Sequence, residues 1–424
     1  MKPALVVQTP ELARQILVKD HEYFQDRHLY CGNSDPIGSF NLFTLKNPLW
    51  RKMRNEISPM FTAARLRSIT KLMNVNSEQL VRKIRRDYVE GGHAVNLKEL
   101  FTMYISDTVA FSVFGIRVSA LEEEASSPLW CISLHMVKWT FWRGLEFIMI
   151  FFVPVVAAFF RLKLFSETGS EYLRKLFWKV VNERNKSKKR DEQDLVNHLL
   201  KLRDNLKLPD DSNSELADNL MVAQAAVFVL ASVETASAVL AYCLHELAYH
   251  PDEQEKLFAE IEEALRGSGK SVLEYDDLLE LKYLTACLYE TMRRHTPVPQ
   301  LDRLCAKTYK LNDHVVIEQG TPVLVNVVAI HHDERFFPEP EEWRPERFKI
   351  ISDNDSLQCS FLPFGEGPRF CIGKRYALMQ MRTALAQIIH QYKIEPAMPH
   401  TVKSDPYSIV LAPNNGGRVH FVPR

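Results

Sequence analysis

One ten-residue stretch offers the clearest chemistry in this sequence. Residues 364–373 read Phe-Gly-Glu-Gly-Pro-Arg-Phe-Cys-Ile-Gly, and apolar residues then recur at helical spacing as far as Tyr392. Cys371 is therefore predicted to lie at or just before a helix N-terminus, where the helix dipole and free N–H groups favour an anionic sulfur. A thiolate held in this way is a good axial ligand for haem iron.

The residues around Cys371 fit the same role. Gly367 and Gly373 are expected to adopt positive φ and to let the backbone approach a flat ligand closely. Arg369, two residues upstream, can pair with an acidic group on that ligand. The alternative is an inert, buried cysteine flanked by turn glycines, which is the common state of a lone free cysteine. The full set of residues, with a helix directly after it, favours the ligand.

The pattern F-x-x-G-x-R-x-C-x-G resembles the haem-binding loop of the cytochrome P-450 superfamily. The resemblance implies that haem b is the cofactor and that Cys371 is its thiolate axial ligand, which favours O–O cleavage. It also implies that Phe364, Arg369 and Gly373 bind the cofactor. Similar motifs follow in the right order over nearly the whole chain, and the similarity is greatest to microsomal members, which include insect detoxifying and vertebrate drug-oxidising enzymes.

A second element places an acid and an alcohol inside a long apolar helix. Residues 231–235 read A-S-V-E-T, and Thr235 is expected to bond the carbonyl of Ala231. Taken alone, Glu-Thr in a helix is more often structural. Similarity to the A-G-x-[DE]-T of the superfamily's oxygen-binding helix implies that Glu234 and Thr235 relay protons towards bound oxygen. Ser232 stands where relatives usually have glycine, which predicts that the function of this helix is altered in its tuning rather than lost.

Three charged residues resemble a structural motif of the same superfamily. Glu290 and Arg293 lie three residues apart on a predicted helix, and Arg347 belongs to a later P-E-R-F segment. One interpretation is an exposed salt bridge, which would contribute little to stability. The resemblance instead implies a buried triad beneath the haem-ligand loop, with a structural role.

Further cofactor contacts are expected from an early helix and a later strand. Trp50 and Arg54 are four residues apart, share a helix face, and resemble the W-x-x-x-R motif that contacts a haem propionate. The alternative is an amphipathic surface helix with a half-buried tryptophan. Arg303 follows a P-V-P turn and resembles another propionate-binding arginine. With Arg369, three arginines are then available for two carboxylates.

Helical periodicity dominates the elements that must position these residues. It predicts helices over 12–18, 63–86, 171–183 and 215–249, and short strands over 321–328, 408–411 and 418–422. The polar stretches 185–192 and 209–214 are too short for domain linkers. The predicted fold is a single domain over residues 1–424, mainly α with a minor β-sheet, and the resemblance places the haem between two long helices.

Composition narrows the class of partner and the compartment. Lys plus Arg and Asp plus Glu both number 53, so the zero net charge does not suggest a nucleic-acid partner. Seven cysteines without a C-x-x-C pair favour a reducing compartment over a disulfide framework. The longest apolar run, 147–160, is broken by Pro154. No segment is therefore expected to span a membrane, whereas this run is expected to dip into its surface.

The resemblance also gives an expectation for the N-terminus. Microsomal relatives begin with a membrane-anchor helix, a proline-rich hinge, and a first strand and helix, and this sequence starts after them. Residues 4–7 are expected to form a strand of the small sheet that is left unpaired because its partner strand is missing.

The predicted function is a haem-thiolate monooxygenase that inserts one oxygen atom from O2 into lipophilic small molecules. The resemblance implies NADPH-cytochrome reductase as the electron partner, with cytochrome b5 as a further candidate, and the cytoplasmic face of the endoplasmic reticulum membrane as the location. One alternative is a haem-thiolate isomerase or dehydratase, which Thr235 disfavours because such enzymes tend to lack that alcohol. The other is a truncated, non-catalytic haem-binding form. The expected pocket segments are 31–44, 139–160, 227–231, 298–301 and 407–411.

Overall fold

The computed structural model of the protein describes residues 3–32, 34–123, 139–187, 194–205, 214–351 and 359–424. Helices dominate these ranges, as predicted. The α-helices are α1 Pro10–Arg14, α2 Pro36–Ser39, α3 Leu49–Ile57, α4 Ala63–Lys83, α5 Leu97–Phe114, α6 Ala120–Glu123, α7 Phe141–Phe152, α8 Pro154–Phe159, α9 Glu167–Ser187, α10 Leu195–Asn205, α11 Ser214–Tyr249, α12 Pro251–Ser268, α13 Tyr275–Glu280, α14 Lys282–Arg294, α15 Val327–His331, α16 Glu346–Ile351 and α17 Lys374–Gln391.

Two α-helices continue into π-helical turns, and short 3₁₀ turns follow the first of these and α3. The π-helical turns Gln15–Lys19 and Ile84–Val89 extend α1 and α4. The 3₁₀ turns are His21–Tyr23 and Ser58–Phe61. The predicted helices 12–18 and 63–86 therefore exist, but in each the backbone hydrogen bonds change from the α-helical to the π-helical pattern before the helix ends.

The strands form three small sheets. One sheet has the order β1-β6-β3, in which β1 is parallel and β3 antiparallel to β6; the others are β2-β8-β7 and the hairpin β4-β5, all antiparallel. The strands are β1 Leu5–Val7, β2 Val95–Asn96, β3 Gln300–Leu304, β4 Tyr309–Lys310, β5 Val316–Ile317, β6 Pro322–Asn326, β7 Tyr392–Pro396 and β8 Arg418–Pro423.

Two expectations about strands are wrong. Residues 4–7 were expected to be unpaired, but Leu5–Val7 pairs with Val323–Val325, so one edge of β1 is satisfied. Residues 408–411 are irregular, with a bend at 409–410, and do not form a strand. The nearest pairing there is an isolated bridge between Ser404 and Pro413, so the apolar pattern reflects burial against the cavity described below.

Helix α11 is the central element of the larger hydrophobic core. It is apolar on nearly all sides, packs along α5, and contributes many of the fully buried side chains. In length and hydropathy, Glu215–Tyr249 could cross a membrane, contrary to the sequence-based expectation that no segment is long enough. Because 72% of its most apolar window is buried by protein, it is accounted for as a core helix.

The apolar run 147–160 is divided between two helices. Helix α7 ends at Phe152, Val153 leaves helical geometry, and Pro154 occupies the first position of α8, where a missing N–H costs nothing. Both helices bury one face only. Their other faces carry exposed apolar side chains, namely Phe141, Trp142, Leu145, Ile148, Phe152, Val155 and Phe159, with Phe160 directly after.

Candidate active site

A cavity of about 750 Å³ lies between α11 and the loop that precedes α17. Its walls are mainly apolar, and Cys371 and Thr235 both face it. Each of the five segments expected to line a substrate pocket contributes residues to it. These include Phe43, Phe147, Phe228, Leu301 and Ile409. Segments that are far apart in the sequence thus line one cavity, which is large enough for a cofactor and a small apolar ligand.

Cys371 is held by the loop as the sequence predicts, two residues before the helix cap. Its backbone N–H donates to the carbonyl of Phe364 at 2.8 Å, and Gly373 caps α17. Of the six cysteines in the described ranges, Cys371 alone is accessible, and it lines the cavity. Burial raises the pKa of this thiol, while the Gly373 N–H and Arg54 lower it only in part. A metal ion coordinated by this sulfur would favour its deprotonated form.

The two loop glycines differ in conformation. Gly367 has a φ of +72°, as expected, and a Cβ there would lie 1.8 Å from the carbonyl oxygen of Leu17. Glycine is therefore required where the loop packs against another backbone segment. Gly373 has a φ of −86°, so its expected positive φ is wrong.

Arg369 and Arg303 are buried at one side of the cavity. The Nη2 of Arg369 donates to Asp26 at 2.9 Å, and its guanidinium carbon lies 3.9 Å from the centre of the Trp50 ring. Arg303 lies in β3 and is also fully enclosed. Burial lowers the pKa of each arginine to about 9, since little water reaches either charge.

Two further cations join these arginines, and sequence reasoning missed both. Arg27 donates to Asp302 at 2.8 Å and lies over the Phe43 ring. Lys46 donates to the carbonyl of Leu29, and burial lowers its pKa to about 8. Neither residue belongs to a motif that we recognised. Only the fold brings the segments around residues 27 and 46 next to β3.

This cluster carries more positive charge than its own carboxylates balance. Four cations accompany two carboxylates, which leaves two positive charges when all six groups are ionised. Within the described residues, two of its buried N–H groups, Arg27 Nε and Arg369 Nη1, have no hydrogen-bond partner. A buried ligand with two carboxylates fits both observations, and haem b has two propionates. The six groups are Arg27, Lys46, Arg303, Arg369, Asp26 and Asp302.

Trp50 and Arg54 line the cavity from α3, but they do not act as one unit. Trp50 lies under Arg369, inside the cationic cluster. Arg54 instead lies over the Phe370 ring at 4.7 Å and close enough to Cys371 that each shifts the pKa of the other. The sequence grouped Arg54 with Arg303 and Arg369, whereas the structure places it on the sulfur side of the loop.

Comparisons with known proteins decide the family. The sequence profile of the family described as Cytochrome P450 matches residues 1–421. The chain belongs to the cytochrome P450 family. Cytochrome P450 6k1 and cytochrome P450 6l1 of Blattella germanica are 32% and 33% identical to it, over 99% and 100% of this chain and 83% and 82% of their own. Probable cytochrome P450 6v1 of Drosophila melanogaster is 32% identical, over 93% of this chain and 78% of its own.

The predicted superfamily and the mainly α fold with minor sheets are therefore confirmed. As a cytochrome P450, the chain is a monooxygenase that uses haem b with a cysteine thiolate as axial ligand. Haem iron ligated by thiolate supplies the activation of dioxygen. The isomerase and the non-catalytic form are not favoured by the relatives.

The acid and the alcohol of this cytochrome P450 differ in their surroundings. Thr235 Oγ1 donates to the carbonyl of Ala231 at 2.6 Å, as predicted. Glu234 is 4% exposed, and its Oε1 lies 3.0 Å from the Nζ of Lys98. The Trp139 indole N–H approaches its other oxygen at 3.4 Å. The carboxylate is thus held by a cation that the sequence analysis did not single out.

Lys98 reaches Glu234 because of how α5 begins. The Asn96 side chain accepts the Glu99 N–H at 3.2 Å and so caps the helix. This cap fixes Lys98 in the first turn of α5, beside α11. The Nζ of Lys98 also donates to Ser237 at 2.7 Å, which orients the ammonium between an acid and an alcohol one turn apart.

Glu290, Arg293 and Arg347 form the buried triad that the resemblance implied. Glu290 and Arg293 are both 0% exposed, and two bonds of 2.8 Å join the guanidinium to the carboxylate. Arg347 Nε donates to the same carboxylate at 3.2 Å. The interpretation as an exposed salt bridge is therefore wrong for this pair.

His331 connects the triad to the chain segment that leads into the Cys371 loop. Arg293 donates to the His331 carbonyl at 2.9 Å, and the His331 Nε2 accepts the Leu362 N–H at 2.8 Å. Since Nε2 accepts, the ring is neutral and its Nδ1–H faces Thr296. Burial lowers the pKa of His331 to about 3, which keeps it neutral. The triad thus supports the loop through one imidazole.

Replacing Arg293 by alanine should give a protein that is poor in haem rather than a slow enzyme. The change leaves Glu290 charged and unpaired in the core, at a cost of about 3–5 kcal/mol, a large part of a domain's total stability. Haem absorbance per protein and the melting temperature measure the effect. Arg335→Ala, which breaks an exposed pair with Asp333, is the matched control. Normal haem content and melting temperature in Arg293→Ala would contradict this role.

Proposed function

We propose that Cys371 is the axial thiolate ligand of this monooxygenase. The observation that carries the proposal is the position of Cys371. Among the described residues it is the cysteine that lines the cavity, which it shares with Thr235 and with the arginines of the cationic cluster. The reaction is the insertion of one oxygen atom from O2 into a lipophilic small molecule of xenobiotic, lipid or hormone type. The apolar walls of the cavity support that class of substrate.

The remaining site residues bind or orient the cofactor. Trp50, Arg303 and Arg369 would hold the propionate side, together with Arg27 and Lys46. Phe364 and Gly373 would lie along the ring near the sulfur, and Arg54 would stabilise the anionic sulfur. All of these residues except Lys46 line the cavity, which supports these roles. We further propose that residues 1–424 form one cytochrome P450 domain, that NADPH supplies electrons through its cytochrome reductase, and that cytochrome b5 is a second donor.

Replacing Cys371 by serine tests the ligand assignment, since serine supplies no anionic sulfur. The carbon-monoxide complex of the reduced parent should show the red-shifted Soret band of thiolate-bound haem, and Cys371→Ser should lose it. Cys305→Ser, at a buried cysteine in the core of the β1-β6-β3 sheet, is the control and should keep the band. A parent that binds haem without the band would show that Cys371 is not the ligand.

Glu234 and Thr235 would deliver protons to the cavity side of α11. Thr235 presents a hydroxyl at the cavity wall, and Glu234 is the adjacent acid, held by Lys98 and separated from bulk water. Lys98 would hold the carboxylate in one orientation between proton transfers. This arrangement makes Lys98 a positioning residue for the relay.

Thr235→Ala and Lys98→Met should both lower the amount of product formed per NADPH consumed, while haem content stays unchanged. The first removes the hydroxyl, and the second leaves the buried Glu234 carboxylate without the cation that orients it. A several-fold fall is expected, since a positioned proton donor contributes roughly 10²-fold or more. Lys83→Met removes a buried lysine paired with Asp87 and should not change the ratio. An unchanged ratio in Thr235→Ala would rule out the relay.

We also propose that the exposed apolar face of α7 and α8 contacts a membrane surface, on the cytoplasmic side of the endoplasmic reticulum. Val155 and Phe159 are each 80% exposed, which is costly in water but favourable in a lipid interface. Val155→Asp should weaken sedimentation with phospholipid vesicles. Val316→Asp, at an exposed valine of β5, should not. Equal sedimentation of the two variants would contradict the proposal.

A further inference from the structure

A cluster of histidines surrounds one buried carboxylate at the end of α11, away from the residues that line the cavity. Glu246 lies on the last turn of α11, and His250 follows directly after the helix ends at Tyr249, with its Nδ1 2.8 Å from the Glu246 carbonyl oxygen. His400 approaches from the segment that follows β7. The side chain of Glu246 is 1% exposed, whereas those of His250 and His400 are 30% and 38% exposed. The carboxylate is therefore buried, while the two imidazoles reach the surface.

The two oxygens of Glu246 have different partners. Oε1 accepts from Arg294 at 2.7 Å and is 2.5 Å from the Nε2 of His295. Oε2 lies 2.9 Å from the Nε2 of His400 and 3.7 Å from the Nδ1 of His250. Arg294 thus balances the charge of the carboxylate from one side. The other side faces two imidazole nitrogens, each of which has a lone pair in one tautomer.

We propose that Glu246, His250 and His400 bind a divalent transition-metal ion of the zinc type. Their donor atoms lie within 4.8 Å of one another, and the donors of a tetrahedral zinc ion lie roughly 3.3 Å apart. Small rotations of the partly exposed rings of His250 and His400 would bring the donor atoms to the shorter distance. Two imidazoles and one carboxylate are a known ligand set for zinc, and a water molecule completes it from the solvent side. His295 and Arg294 occupy the outer positions, where they orient the ligating carboxylate.

Neighbouring rings already restrict the two histidines. His400 is stacked on Tyr249 with ring centres 4.5 Å apart, and its carbonyl contacts the His245 Nε2 at 2.8 Å. His250 packs against the Trp343 ring. The Nδ1 of His250 lies 2.8 Å from the Glu246 carbonyl, so metal binding at this atom exchanges one backbone hydrogen bond for a coordinate bond.

The site connects to the cavity through the chain after His400. Ser404, four residues on, is bonded to Tyr242 of α11 at 3.2 Å, and residues 406–410 line the cavity. An ion at Glu246 would therefore fix the start of a cavity-lining segment to the central helix. The site is separate from the cysteine loop, so its presence does not depend on the function proposed above.

The test is equilibrium dialysis of the haem-containing protein against Zn²⁺ buffered at a low free concentration, followed by metal analysis. The parent should retain one more Zn²⁺ per chain than His400→Ala, and His250→Ala is the second variant, in case the first does not fold. The loss of one ligand should weaken binding by at least about tenfold, the lower limit known for outer partners of metal ligands. His390→Ala is the matched control, since His390 also faces a single glutamate, Glu262, and is equally exposed at 38%.

A second measurement distinguishes this site from other surface histidines. Zn²⁺ should slow amide hydrogen exchange over residues 398–413 in the parent and in His390→Ala, but not in His400→Ala or His250→Ala. Equal zinc retention by the parent and both site variants would overturn the proposal. So would an equal loss in His390→Ala, or zinc binding without slower exchange in the segment after β7.

Discussion

The structure depends on positive charge that is buried without enough protein carboxylate to balance it. Arg27, Lys46, Arg303 and Arg369 come from three separate regions of the chain, yet all lie beside Asp26 and Asp302. Burying such charges is unfavourable, and burial accordingly lowers the pKa values of Lys46, Arg303 and Arg369. The arrangement is favourable only when a buried anion completes it. The propionates of haem would supply that anion, which would link cofactor binding to folding at this side of the cavity.

At the sulfur, the chain by itself lacks the negative charge that a thiolate ligand needs. Burial raises the pKa of the Cys371 thiol, so the chain by itself does not maintain a thiolate, even beside a helix N-terminus. The loop is nevertheless rigid: Gly367 packs against the Leu17 carbonyl, and His331 bonds Leu362 just before the loop. The buried triad carries that histidine. The chain thus holds the sulfur in place, and a haem iron bound there would favour its deprotonated form.

The residues that could be predicted from the sequence are those whose roles depend on near neighbours in the chain. The position of Cys371 before a helix, the Thr235 bond to Ala231 and the long α11 follow from spacing alone. The residues it missed act across long sequence separations: Arg27 with Asp302, Lys98 with Glu234, and His331 with Leu362. No local pattern reports such pairs. The strand expected at 408–411 is not formed for a related reason, because Ile409 and Val410 line the cavity and do not join a ladder of backbone hydrogen bonds.

The most direct test of the charge balance compares two forms of the cofactor. Haem-depleted protein is titrated with iron protoporphyrin IX and with its dimethyl ester, which has the same ring and iron but no carboxylates. The account predicts that the ester binds much more weakly, and that Arg303→Leu reduces the difference between the two. Equal affinity for haem and its dimethyl ester would contradict the central role of the cationic cluster.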